Sequence, residues 1–284
     1  MAIFTNQATL SYNNTTTTSN IVTGEILEVL SAAKNAIDDE YSFGDTVTYV
    51  ISIINTGTAP FNGLSITDDL GAYTVGLQTL TPLTYVDGSL AYYTNGVLQA
   101  GATAVAGPPL VISGINVPAG GNTIVIYEAR VNEFAPLASG SIIVNEATIS
   151  GAGLSTPIEA SDTITVADAA QLSITKGISP ATVAENGQLT YTFTIQNTGN
   201  TAADAIDNVT VSDLFNPILE NITVALNGTI LTEGPQYAYD ETTGLFQTVA
   251  GVITVPAATY TQDPVTGQWN IIPGVTVLTV TGTV

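Results

Sequence analysis

The chain has 284 residues, of which 45% are apolar, so it is long enough for one large domain or two of ordinary size with a buried core. It carries 24 acidic residues against three basic ones, a net charge of −21, which argues against nucleic acid and anionic membranes as partners. It contains no cysteine and no histidine, which excludes disulfides, Cys/His zinc sites and Ser-His-Asp or Cys-His catalysis. Composition therefore favours a structural or binding protein over an enzyme and predicts no cofactor.

The N-terminal region shows no signal peptide, and no segment reaches transmembrane length without polar interruption. We therefore predict no membrane insertion. The absence of cysteine suits a surface protein without establishing one.

The secondary-structure pattern is that of β-strands throughout. Threonine, valine and isoleucine alternate with other residues over 46–53 and 189–195, and an Asn-Thr-Gly triplet follows each run. Asn95-Gly96 and Asn227-Gly228 are typical of hairpin turns. No amphipathic helix is evident, so the pattern predicts an all-β chain of sandwich domains.

An internal repeat divides the chain into two tandem copies. The closing strand of the first copy, 141–151, has its only counterpart at the other end of the chain, in 2–12. We therefore expect the second domain to lack its closing strand. The predicted parts are a donor strand over 1–14, a turn and linker strand over 15–25, domain 1 over 26–166 and domain 2 over 167–284. The first two parts are expected to form a hairpin. The other aligned segments are 18–34 with 160–176, 47–57 with 189–199, 64–70 with 209–215, and 123–131 with 276–284.

The motif G-D-x-V-T-Y-x-I, followed by N-T-G, S-I-T-D and V-N-x-A-T-I, resembles the bacterial conserved-repeat domain, also called domain of unknown function 11. The resemblance covers nearly the whole chain, twice. It implies immunoglobulin-like domains in tandem, as in bacterial surface and spore-coat-type proteins, and a structural role. It implies nothing about a ligand.

An incomplete sandwich exposes apolar core and the unpaired backbone groups of a sheet edge, which together form a template for another strand. The N-terminal segment has the alternation of such a strand, and burying each large apolar side chain would contribute about 1.5–3 kcal/mol. We expect it to be donated to another copy, which builds an open filament. The alternatives are an extra edge strand on domain 1 or a loose segment. The donor residues are Ile3, Phe4, Asn6, Ala8, Leu10 and Tyr12.

The only two lysines occupy the same repeat position, and each lies on the apolar face of its strand. An aspartate and an asparagine face inward by the same test. These residue types support a spontaneous Lys–Asn isopeptide bond, as in other immunoglobulin-like surface domains. The alternative is a buried ion pair whose remaining hydrogen bonds the asparagine satisfies. The candidates are Lys34, Asp68 and Asn145 in domain 1, and Lys176 and Asp213 in domain 2, with Asn6 of an incoming strand.

The sequence therefore predicts a structural subunit of an extracellular bacterial filament, similar to a pilus or a spore appendage, on a cell or spore surface. Its partner would be a further copy of itself. The alternative is a monomeric adhesin or coat module that presents a binding surface. No enzymatic activity is expected beyond autocatalytic bond formation. Acidic turns at 38–40 and 68–69 lack the spacing of a calcium loop, so no metal site is predicted.

Overall fold

The computed structural model describes residues 2–284, which fall into two compact units. Unit 1 comprises Met1–Ala135 and Ile142–Thr165, and unit 2 comprises Pro136–Ser141 and Val166–Val284. In the described range the regular elements are β-strands, apart from one 3-10 turn at Ala205–Asp207. The predicted all-β class of sandwich domains is confirmed. The proposed donor segment begins at Met1, which lies outside the described residues.

The chain begins with a hairpin, here called the N-terminal hairpin. Its strands are β1 (Ala2–Asn6), β2 (Thr9–Tyr12), β3 (Thr15–Thr18) and β4 (Val22–Ile26). Strand β1 pairs antiparallel with β4, and β2 with β3. The two-residue turn consists of Asn13 and Asn14, both at positive φ (43° and 58°), a conformation that asparagine tolerates better than most residues.

The predicted hairpin is confirmed, with two local corrections. Thr15–Thr18 form a strand rather than a turn, and the expected continuous strand over 2–12 is interrupted at Gln7 and Ala8. Residues 3–23 are all exposed, and the hairpin strands form two-stranded sheets of their own. The alternative of an extra edge strand on domain 1 is therefore wrong for the described residues.

Unit 1 is a sandwich of two six-stranded antiparallel sheets. Its strands are β5 (Leu30–Ala36), β6 (Glu40–Tyr41), β7 (Thr46–Asn55), β8 (Phe61–Asp68), β9 (Tyr73–Val75), β10 (Gln78–Leu80), β11 (Leu83–Tyr85), β12 (Ala91–Thr94), β13 (Val97–Gln99), β14 (Thr103–Val105), β15 (Leu110–Val117), β16 (Asn122–Val131), β17 (Ile142–Ser150) and β18 (Ile158–Val166). One sheet has the order β13-β12-β16-β7-β5, with β11 also on β16, and the other has the order β14-β15-β8-β17-β18-β6. Strands β9 and β10 form a separate small hairpin.

The alternation read from the sequence produces this sandwich, since every second residue of β7, β16 and β17 is buried. The inward side chains of the two sheets meet in one core. The hairpin of β17 and β18 closes one side of unit 1, because β17 pairs with both β8 and β18.

Unit 2 repeats one sheet of unit 1 but differs in the other layer. Its strands are β19 (Leu172–Ser179), β20 (Gln188–Asn197), β21 (Ser212–Leu214), β22 (Glu220–Leu226), β23 (Thr229–Ile230), β24 (Tyr237–Asp240), β25 (Leu245–Thr248), β26 (Thr259–Gln262), β27 (Trp269–Ile272) and β28 (Gly274–Thr283). The main sheet has the order β19-β20-β28-β22-β23. Facing it is a three-stranded sheet, β21-β25-β24, and β26 pairs with β27.

The repeated Asn-Thr-Gly triplets have one structural role. The buried Asn55 amide donates to the carbonyls of Ala59 (2.8 Å) and Pro118 (3.0 Å), and its Oδ1 accepts from the Gly57 N–H. In unit 2, the buried Asn197 makes the equivalent set of bonds. These triplets therefore tie the end of a strand to neighbouring loops in both units.

We predict that deleting residues 1–26 leaves unit 1 folded, with a change in its free energy of unfolding below about 0.5 kcal/mol, because the deletion removes exposed groups. Denaturant unfolding measures this value. The matched control is Ile164→Ala in the closing hairpin, where the side chain is fully buried and its truncation should cost about 2–5 kcal/mol. A loss of several kcal/mol on deletion would show that the N-terminal hairpin packs on unit 1.

Candidate functional site

The core of unit 1 contains three polar side chains from three different strands. Lys34 on β5 is 3% exposed, and Asp68 at the end of β8 and Asn145 on β17 are fully buried. Strand β5 belongs to one sheet, whereas β8 and β17 are neighbours in the other. The lysine therefore reaches across the sandwich, and the inward orientation expected from the sequence is confirmed for all three residues.

A chain of hydrogen bonds connects these side chains. The Lys34 ammonium donates to Oδ2 of Asp68 at 2.7 Å, and the Tyr127 hydroxyl donates to the same oxygen at 2.5 Å. The Asn145 amide then donates to the Tyr127 hydroxyl at 3.3 Å. The second carboxylate oxygen of Asp68 accepts from the Leu70 N–H at 3.0 Å. The Asp68 carboxylate thus contacts the amine directly and the amide by way of the Tyr127 hydroxyl.

Burial sets the protonation chemistry of this cluster. Loss of water around Lys34 lowers the pKa of its ammonium below the ordinary 10.5, and the negative charge of Asp68 opposes part of that shift. Burial, reinforced by the Asp68 charge, raises the pKa of Tyr127 well above its ordinary value. The tyrosine therefore keeps its proton, while the neutral form of the lysine becomes accessible at lower pH than in water.

The cluster is not fully satisfied. Among the described residues, the Tyr49 hydroxyl and Oδ1 of Asn145 are buried without a hydrogen-bond partner. An unpaired buried polar atom costs about 1–3 kcal/mol, so a simple ion pair leaves free energy unrecovered here. The rings of Tyr49 and Tyr127 stack with centroids 5.6 Å apart, and the Lys34 ammonium lies 4.9 Å from the Tyr49 centroid.

Unit 2 contains the same pair in an open setting. The Lys176 ammonium donates to Oδ2 of Asp213, but the two side chains are 41% and 19% exposed. The ammonium lies 4.3 Å from the ring centroid of Tyr191 and 5.5 Å from that of Phe215. Asp213 lies on β21 in the three-stranded sheet, and every residue of β19 is exposed.

Among the described residues, no hydrogen bond joins the candidate residues of the N-terminal hairpin to Lys34 or Asp68. Asn6 is exposed and pairs with Val22 through the backbone ladder. The exposed fractions of the large apolar side chains are 68% for Ile3, 51% for Phe4, 61% for Leu10 and 57% for Tyr12, and Ala8 is exposed as well. The segment thus presents apolar surface that a soluble monomer would ordinarily bury.

Sequence reasoning missed the aromatic lining of these sites. Tyr49 and Tyr191 occupy the same position in the aligned segments 47–57 and 189–199, so the repeat carried a signal for them. Tyr127 aligns with Val280, so nothing in the repeat marked it. Its role depends on contacts between two sheets, which strand alternation does not reveal.

In the part of the chain that the structure describes, we looked for clusters of metal-ligating side chains and for helices that could span a membrane. No three acidic, cysteine or histidine side chains in residues 2–284 come together as a possible metal site. No helix in the same range is long and apolar enough to cross a membrane.

No protein-family model matches the chain, and no curated protein matches it. The resemblance to the conserved-repeat domain therefore stays a prediction.

Solved structures with similar folds include bacterial surface proteins. The N-terminal domain of the Streptococcus gordonii adhesin Sgo0707 is 14% identical, with 54% of this chain and 36% of that chain covered and a TM-score of 0.38. The pilus backbone RrgB of Streptococcus pneumoniae is 12% identical, with 86% of this chain and 55% of that chain covered and a TM-score of 0.35. BcpA, the major pilin subunit of Bacillus cereus, is 12% identical, with 95% of this chain and 73% of that chain covered and a TM-score of 0.36. The chain thus spans about a third to a half of the first two proteins. At these identities and TM-scores the likeness assigns no function.

We predict that, in protein whose Lys34 is an unbonded ammonium, Asp68→Asn lowers the free energy of unfolding of unit 1 by about 3–5 kcal/mol, because it leaves this buried charge without a counter-charge. The matched variant Asp213→Asn should cost unit 2 at most about 1 kcal/mol, because solvent screens the open pair. Denaturant unfolding of both variants makes the comparison. Equal losses in the two units would contradict the difference in burial.

Proposed function

We propose that this chain is a structural subunit of an extracellular bacterial filament and that copies assemble head to tail by strand donation. In this proposal the N-terminal hairpin of one copy docks on the open face of unit 2 in the next copy. Lys–Asn isopeptide bonds then form in unit 1 and between copies. The same proposal includes the relation to the conserved-repeat domain, a structural role without enzymatic activity beyond autocatalytic bond formation, and a location on a cell or spore surface.

The observation that carries the proposal is the contrast between the two lysine sites. Leu30 and Lys34 on β5 are buried (8% and 3% exposed) beneath the layer that β17 and β18 complete. Their counterparts on β19 are open, with Leu172 at 42% exposure and the Lys176 side chain at 41%. Ile174 and Ile178 on the same strand are also exposed. Within the described residues, unit 2 has no counterpart of the closing hairpin packed on this face.

The N-terminal hairpin matches the missing layer. The buried residues Ile143, Asn145, Ala147 and Ile149 of β17 align with Phe4, Asn6, Ala8 and Leu10. Each of these four donor residues is exposed. Docking them would therefore bury apolar surface on both partners, a gain of about 25 cal/mol per Å² before the cost of ordering.

A short tether joins the N-terminal hairpin to unit 1. Only residues 27–29 separate β4 from β5, and three residues extend over roughly 10 Å. The hairpin is thus held close to unit 1 of its own chain. Because donor and acceptor are different surfaces of the subunit, the contact is heterologous and propagates into a filament unless a ring closes.

The unit 1 cluster can form an isopeptide bond without a cofactor. Lys34 transfers one proton to Asp68, and its neutral Nζ attacks the side-chain carbonyl carbon of Asn145. A new C–N bond forms, the bond to Nδ2 breaks, and Nδ2 leaves as ammonia after it gains a proton from the lysine nitrogen by way of Asp68. The carbonyl oxygen carries negative charge in between, and the protonated Asp68 carboxyl can donate to it. No electrons are gained or lost overall.

In the proposed assembly, the same reaction in unit 2 uses an asparagine from another copy. Lys176 and Asp213 are already in contact, and the repeat alignment places Asn6 of a docked hairpin where Asn145 lies in unit 1. Docking holds the amine and the amide together and so removes most of the entropic barrier to the reaction. The resulting bond would join neighbouring subunits covalently.

For the covalent chemistry we predict a monomer that is lighter than its sequence by one ammonia and a polymer that runs as a ladder after boiling in detergent. Lys34→Ala should restore the full monomer mass and keep the ladder. Lys176→Ala or Asn6→Ala should abolish the ladder and keep the monomer bond. Intact-mass spectrometry and denaturing gels give the two readouts, and the two lysine variants are controls for each other. A full-mass monomer with filaments that dissolve in hot detergent would contradict the covalent part alone.

For assembly we predict that Phe4→Asp or Leu10→Asp prevents filament formation, because each places a charge in an apolar groove. The matched control is Thr5→Asp, which adds the same charge on the opposite face, since the aligned Val144 is 47% exposed in unit 1. Negative-stain microscopy and light scattering of purified protein report filaments. Wild-type protein that stays monomeric under these conditions would instead favour the monomeric adhesin or coat module.

A further inference from the structure

The N-terminal hairpin and the closing hairpin of unit 1 pair their strands differently. In the closing hairpin, Asn145 lies opposite Asp162. The aligned residues are Asn6 and Asn20, but in the N-terminal hairpin Asn6 lies opposite Val22. The ladder of β1 and β4 is therefore shifted by two residues from the pairing of its counterpart. We call the observed pairing the storage register and the pairing of the closing hairpin the docking register.

Side-chain contacts hold the storage register. At the interruption between β1 and β2, the Ser19 hydroxyl accepts from the Ala8 N–H at 3.0 Å, and the Ser19 N–H donates to the Ala8 carbonyl at 2.9 Å. The Gln7 amide donates to the Ser19 carbonyl at 2.7 Å. At this interruption three residues, 19–21, face two residues, 7–8, and this bulge accounts for one of the two residues of the shift. The other is already present in the β2–β3 ladder, where Thr9 lies opposite Thr18 and not opposite the aligned Thr17.

The packing of Phe4 on Gly24 also stabilises the storage register. The two residues lie directly opposite each other, and a Cβ at Gly24 would overlap Cζ of the Phe4 ring. A side chain at position 24 would therefore displace the Phe4 ring from its place over Gly24 and weaken this contact of the storage register. The residue that aligns with Gly24 in the closing hairpin is Val166, which is 7% exposed, so the docked position accepts a branched side chain.

The second strand of the closing hairpin, β18, is itself part of the core of unit 1. Ala160 and Ile164 of β18 are buried, and the Asp162 carboxylate accepts from the Ala36 N–H of β5 at 2.6 Å. This last bond joins β18 to the edge strand that carries the lysine. The positions that align with Asp162 and Ala36 are Asn20 and Ile178. In a docked hairpin, the side-chain oxygen of Asn20 would therefore be the equivalent acceptor for the Ile178 N–H at the edge of β19.

We infer that the docking element is the whole N-terminal hairpin rather than one strand, and that β1 must slide by two residues along β4 into the docking register before it fits unit 2 of a second copy. This inference rests on the proposed function. In the docking register Phe4 lies opposite Val22, and Asn6 lies opposite Asn20. The storage register thus delays docking, since its bonds must break first.

Engineered cysteine pairs distinguish the two registers, because the natural chain has no cysteine. Thr5 lies opposite Thr23 in the storage register, whereas the aligned pair Val144 and Thr163 places Thr5 opposite Ile21 in the docking register. The double variant T5C/T23C, once oxidised, should hold the storage register and prevent filament formation, and reduction should restore it. The matched variant T5C/I21C, once oxidised, should assemble at least as fast as its reduced form.

The single variants Ser19→Ala and Gly24→Val test the same step without a disulfide. Each weakens the storage register, so each should shorten the lag before filaments form, in contrast to the donor variants that prevent assembly. Light scattering over time gives the lag. Normal assembly by oxidised T5C/T23C, together with unchanged lags for both single variants, would overturn the register change and leave strand donation standing. Wild-type protein that fails to assemble would overturn the proposed function itself.

Discussion

A lysine inside a β-sandwich must meet a carboxylate and be covered by a complete second layer, because an unpaired buried charge costs several kcal/mol. Unit 1 satisfies both conditions: Lys34 contacts Asp68 at 2.7 Å, and the hairpin of β17 and β18 completes the layer above it. The closing hairpin also supplies Asn145, so the element that shields the ion pair brings the amide next to it. The shielding of the ion pair and the bond formation proposed for it therefore depend on the same hairpin.

In the described part of unit 2, no closing hairpin covers the corresponding ion pair of Lys176 and Asp213. The side chains of Lys176 and Asp213 remain partly hydrated, and the apolar residues of β19 face solvent. An exposed edge strand of this kind is an aggregation hazard that proteins ordinarily block. The net charge of −21 provides one general safeguard, because like-charged subunits repel each other at low ionic strength. In the proposed assembly, the apolar contacts of a donor with a matching pattern would outweigh this repulsion, whereas a random encounter would not.

The pairing of the N-terminal hairpin provides a second, more specific safeguard. Its strands hydrogen-bond to each other, so its backbone groups are not free to add to any available sheet edge. The packing of Phe4 over Gly24 and the bonds around Ser19 hold a pairing that its repeat counterpart does not use. Selectivity would then come from the acceptor, which alone offers the contacts that repay the change of register.

The sequence by itself determined the all-β class, the Asn-Gly turns, the internal repeat and the inward face of Lys34, Asp68 and Asn145, because these follow from local turn chemistry and a two-residue period. Only the tertiary structure decided that these side chains meet, that Tyr127 joins them and that Lys176 is open to solvent. It also decided the register of the N-terminal hairpin. Contacts between sheets and strand register depend on residues distant in the sequence, and alternation along one strand carries no information about which partner lies opposite.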